Sequence, residues 1–163
     1  MSETSTVTPR TTQATGVMPT NKVTFGICTA GRKEADTAST IQTVVVKDAE
    51  SLNISFDNGI EEWNPMDQEG WVRRLMTSKS IGVSLGGKRN YGDPGNDYVA
   101  SLGYANGQDA NSWFSINFPN GDKLMIPVVV NVTSMGGDST SVNALEWEVQ
   151  SDGKPSYTPA ASA

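Results

Sequence analysis

The amino-acid sequence predicts a β-rich domain with one short helix. Three observations carry that expectation. Apolar residues recur at every second position in several runs, such as Leu52, Ile54, Phe56 and again Leu124, Ile126, Val128, Val130, Val132, the signature of strands with a buried face. Val and Ile cluster in these runs, where branched side chains suit a pleated surface. Convincing helix punctuation occurs once: Asp93 and Pro94 supply a cap and a first helical residue, Tyr98, Val99 and Leu102 follow on one face, and Gly103 and Gly107 mark the end.

At 163 residues the chain suits a single domain, large enough to bury roughly 70% of the surface that its unfolded form exposes. Lys and Arg number 12 against 18 Asp and Glu, a net charge of −6. A protein that grips nucleic acid needs a basic face, so tight DNA binding is excluded more firmly than a passage through which DNA slides. Cys28 is the single cysteine, which rules out an intrachain disulfide and suits a small buried hydrophobe. Histidine is absent; Ser-His-Asp and Cys-His catalysis are excluded by inventory, and zinc would lack its ligands. No stretch has a signal-peptide core or approaches membrane-spanning length, so no membrane partner is expected, and no cofactor.

Taken in order, residues 1–21 are dominated by Ser and Thr and read as a flexible arm. Val23, Phe25 and Ile27 open the ordered domain, 22–153, and residues 29–40 form a polar loop. Val44, Val45 and Val46 make a short strand, followed by the Leu52–Phe56 alternation. Asp57-Asn58-Gly59 then predicts a turn, with a return strand from Ile60 that Pro65 ends. Met66 to Met76 is ambiguous between a loop that carries Trp71 into the core and a strand. Ile81, Val83 and Leu85 alternate into a loop of Gly86, Gly87, Lys88 and Arg89. After the helix come Phe114, Ile116 and Phe118, a hairpin turn at Pro119–Asp122, the long run from Leu124, and a last strand whose Leu145, Trp147 and Val149 oppose Glu146 and Glu148. Residues 154–163 read as a flexible tail.

Several motifs invite a sharper chemistry and fail on detail. Gly82 to Arg89 nearly spells a phosphate-binding loop, but Arg89 stands where the magnesium-binding hydroxyl belongs and a turn follows instead of a helix. Asp93, Asn96 and Asp97 lack the spacing and the closing Glu of a calcium loop, so capping is the better use. Trp63, Trp71, Trp113 and Trp147 suit a core better than a sugar platform. Glu61 and Glu62 fall on opposite faces of a strand and do not make an acid/base pair. No enzymatic role is expected.

The runs IEEWNPMDQEGWVRRLMTSKSIGVSLGGKRNYGDPGNDYVASL and VVVNVTSMGGDSTSVNALEWEVQSDGKP resemble the major tail tube proteins of long-tailed bacteriophages. The resemblance covers about Lys22 to Pro155, and GKRNYGDPGNDYV and EVQSDGKP are its specific phrases. It implies a mainly β, antiparallel sandwich or barrel with one flanking helix, assembling as hexameric rings that stack into a hollow tube for genome delivery. The implied partners are further copies of the chain, the tape measure, tail terminator and distal tail proteins, and double-stranded DNA in transit; the implied location is the virion tail, assembled in the host cytoplasm. On that reading Arg73, Arg74, Lys88, Arg89 and Asp93 are expected at subunit interfaces. Glu61, Glu62, Glu146 and Glu148 are expected in the lumen, where carboxylates repel phosphates. The terminal arms would order across ring junctions. A capsid-decorating β-domain and a carbohydrate-binding module are the alternatives.

Overall fold

The computed structural model describes residues 15–33 and 36–159; the outer parts of both expected arms, 1–14 and 160–163, lie outside them. Eight strands are present: β1 (Thr24–Ile27), β2 (Val44–Val45), β3 (Ala49–Trp63), β4 (Arg73–Lys88), β5 (Asn111–Asn117), β6 (Lys123–Gly136), β7 (Ala144–Ser151) and β8 (Ser156–Thr158). They form one sheet in the order β2-β1-β5-β6-β7-β4-β3, with β8 also on β6, and every pairing is antiparallel. Ordered sheet therefore extends past residue 153, where the sequence suggests a tail.

Connectivity forces this sheet to roll. β2 and β3 stand at its opposite ends, yet only Val46–Asp48 separate them in the chain. Four residue steps reach at most about 14 Å, whereas six strand spacings in a flat sheet would place those ends roughly 29 Å apart. The roll encloses one core that includes Ile27, Val83, Phe114, Ile126, Leu145 and Trp147. Phe114 is its centre, stacked on Phe25 at 5.7 Å and edge-on to Trp147 at 5.9 Å. Helix α1 (Pro94–Ser101) closes one end of the roll, burying Val99 and Ala100.

Two sequence expectations are corrected here. Asp57-Asn58-Gly59 is not a turn: β3 runs straight through it, opposite Ser80, Lys79 and Ser78 of β4. Gly59 is absent from the positive-φ glycines and marks a register shift in the ladder. The reversal falls at 64–72, where Glu69 and Gly70 adopt positive φ. A local Asn-Gly preference is weak against a ladder of this length. The tryptophans also divide: Trp113 and Trp147 are 8% and 2% exposed, as a core requires, but Trp63 and Trp71 are 42% and 75% exposed at the far end of the β3–β4 hairpin.

Closure of the roll leaves no room at Gly95, where an added Cβ would lie 2.6 Å from the Val45 carbonyl oxygen. Gly95→Ala is expected to cost about 3 kcal/mol through overpacking, read as a fall in Tm of about 10 °C by thermal denaturation.

Candidate assembly surfaces

The loop between β4 and α1 is held by a buried amide. Asp93 caps the helix, accepting from the Asn96 backbone N–H at 3.0 Å and from that of Lys47 at 3.1 Å. Asn96 is 1% exposed. Its Nδ2 donates to the Lys47 and Lys88 carbonyls at 3.2 and 3.0 Å, and its Oδ1 accepts from the Asn90 N–H and Arg89 Nη1 at 3.0 and 2.9 Å. Every donor and lone pair of that side chain is used. Arg89 donates further to Asp97 at 2.7 Å and lies over the Tyr91 ring at 4.3 Å. Arg89 and Asp93, two of the expected interface residues, are thus engaged inside their own chain. So are Asn96 and Asp97, which with Asp93 were the calcium candidates.

The other cations stand apart from this cluster. Lys88 pairs with Glu50 at 3.3 Å and Arg74 with Glu62 at 2.8 Å, both exposed, so each contributes about 0–1 kcal/mol. Arg73 lies over Trp63 at 5.9 Å.

Strand register sorts the expected lumen residues. On the face turned away from the core, cross-strand rows join Ser51, Gly86, Glu146 and Ser134; Asn53, Ser84, Glu148 and Asn131; Ser55, Gly82, Gln150 and Val129; and Asp57 with Ser80. These rows hold three carboxylates and no Lys or Arg. Glu148 is braced by Asn131 and Gln150 at 3.1 and 3.3 Å. Alternation past the bulge places Glu61 on this same face, opposite Leu75, and Glu62 on the other, opposite Arg74. Three of the four glutamates share a surface and Glu62 does not.

Sequence reasoning missed the outer half of the β3–β4 hairpin. β7 pairs β4 only over Gly82–Lys88, so among the described residues the outer ribbon has no neighbour on either edge. It displays Phe56, Ile60, Leu75 and Met76 in addition to Trp63 and Trp71, and Met66 at its turn is 101% exposed. A two-stranded ribbon with bare edges and exposed apolar groups is marginal alone. The available signal was that apolar residues here continue through both parities of the strand, which one buried face does not require.

No protein family matches the sequence, and no curated protein does so. Among solved structures, a chain from the tail of an empty gene transfer agent particle, refined helically with C6 symmetry, matches with a TM-score of 0.65 at 17% identity, over 88% of this chain and 100% of that one. A chain from the virion of a native gene transfer agent particle matches with a TM-score of 0.64 at 15% identity, again over 88% and 100%. This chain has their fold. The mainly antiparallel architecture with one short helix, expected from the sequence, is confirmed by that likeness.

Among the described residues two side chains have shifted acidity: burial pushes the Tyr98 phenol up, and a hydrogen bond with Asp122 does the same for Tyr157. Both remain protonated at neutral pH. Removal of the buried amide in Asn96→Ala would strand two carbonyls and an N–H, at a cost of about 3 kcal/mol or more. Glu62→Ala should cost less than about 1 kcal/mol. Chemical denaturation of the two variants side by side distinguishes the latch from the surface pair.

Proposed function

We propose that the chain is a structural subunit of a phage-like tail, polymerising as stacked hexameric rings into a tube through which the genome passes. The observation that carries this reading is the polar sheet face, whose cross-strand rows hold Ser, Asn, Gly, Gln and carboxylates with Val129 and no Lys or Arg, bordered by strand edges unpaired among the described residues. Rings of head-to-tail copies give those edges partners, and repetition of the ring extends the assembly. The fold shared with chains of gene transfer agent particles supports the same conclusion.

In this reading Asp57, Glu61, Glu146 and Glu148 line the lumen. A wall of carboxylates and hydroxyls gives phosphates nothing to hold, and DNA slides. Glu62 faces away, beside Arg74. Arg73, Arg74 and Lys88 bracket the face at its two ends and meet carboxylates of neighbouring copies. Arg89 and Asp93 act indirectly by holding the loop that presents Lys88. The chain does no covalent chemistry. It resides in the virion tail, and the tape measure, tail terminator and distal tail proteins are its further partners.

A carbohydrate-binding module has one observation in its favour, the exposed Trp63 and Trp71. Arg73 already occupies the ring face of Trp63, which leaves one platform and weakens that case.

Negative-stain microscopy of the purified chain at high concentration is expected to show hollow filaments, and monodisperse particles at every concentration would sink the tube. Lysine at Glu146 and Glu148 should make filaments retain duplex DNA at about 50 mM salt and release it at about 200 mM, as counterion release requires. Native filaments should not retain it, which a co-sedimentation assay reads directly.

A further inference from the structure

The end of the roll opposite α1 is uncovered. There, Phe56, Ile81, Phe118, Leu124, Pro155 and Tyr157 line an open groove of about 840 Å³ whose charged members are Lys79 and Lys154. No carboxylate lines it. Among the described residues neither lysine has an ion-pair partner, and Phe56 and Tyr157 are largely exposed.

The turn of the β3–β4 hairpin has the complementary character. Residues 64–72 include Met66 and Trp71, both solvated, with Asp67 and Glu69 and no Lys or Arg. Those two carboxylates also have no ion-pair partner among the described residues. The turn cannot reach the groove of its own chain. β3 is extended throughout, so at ~3.3 Å per residue Trp63 stands roughly 23 Å from Phe56 at the groove.

We propose that the 64–72 turn of one copy docks in the groove of a second copy, Met66 and Trp71 covering Phe56 and Tyr157 while Asp67 and Glu69 meet Lys79 and Lys154. Hydrophobicity and charge agree: an apolar tip that carries carboxylates complements an apolar groove that carries ammonium groups. Tip and groove are different surfaces of one chain, so the contact is heterologous and leaves each copy with a free tip or a free groove for the next. The inference rests on the self-assembly part of the tube reading and is independent of which face lines the lumen.

Charge exchange between copies tests it. One variant carries Asp67→Lys and Glu69→Lys, the other Lys79→Glu and Lys154→Glu; all four positions are exposed, and circular dichroism checks that both fold. Each variant alone should need about tenfold more protein to assemble at low salt, by light scattering and sedimentation velocity. An equal mixture should assemble as the native chain does, because each tip then meets an opposite charge in the other variant. Oxidation of a Met66→Cys, Tyr157→Cys chain should give a ladder of multimers on a denaturing gel, and its absence in an assembling chain counts against the contact. Variants that assemble alone like the native chain, or a mixture that is not restored, overturn the docking while leaving the tube intact. Loss of assembly from the groove variant only would place a different occupant there, such as the N-terminal segment, and overturn it too. A native chain that stays monomeric at every concentration overturns both readings.

Discussion

The side-chain amide of Asn96 joins two runs of chain that are remote in sequence. It holds the carbonyls of Lys47 and Lys88 and the N–H of Asn90 at one buried point. Those runs are the β2–β3 corner and the stretch that leads from the end of β4 to α1, the places where a rolled sheet must be brought together. An amide out of reach of water has to find all its partners or lose stability. Closure of the roll is therefore tied to correct placement of the helix, and Asp48, with φ of 63°, bends the corner to meet it. The backbone carbonyl of Asp48 takes the Lys88 N–H at 2.8 Å. Gly87 lies against that same carbonyl, with no space for a side chain.

Closing one end in this way leaves the other uncovered. α1 covers the core beside Val46, while the far end opens on Phe56 and Tyr157 and the outer hairpin extends beyond it. The two sheet faces then diverge in chemistry: the inner face is hydrocarbon, and the outer face, Val129 apart, is mainly hydroxyl, amide and carboxylate where β3, β4, β7 and β6 pair. Strand edges left bare among the described residues are what the proposed ring would pair. In the proposed tube, a net charge of −6 would disfavour adhesion of DNA.

Very different sequences can adopt this fold, as the 17% identity over 88% of this chain illustrates. Alternation satisfies one buried face with many combinations of Val, Ile, Leu and Phe. What is harder to replace is the cluster around Asn96, where identity, rotamer and partners are all specified.

The sequence by itself determined the features that act over a few residues. Period-two alternation announced the strands, Asp93 and Pro94 announced the helix and its first turn, and the opposition of Glu146 and Glu148 to Trp147 was legible from parity alone. Only tertiary structure decided that Asp57-Asn58-Gly59 continues a strand, because the deciding term is the register with Ser78, Lys79 and Ser80 across the hairpin. It also decided that Trp63 and Trp71 stay exposed, that Arg89 turns inward to Asp97, and that Glu61 and Glu62 lie on different faces of the sheet. Local propensity acts within a few residues, whereas burial and face are set by strands that arrive from elsewhere in the chain.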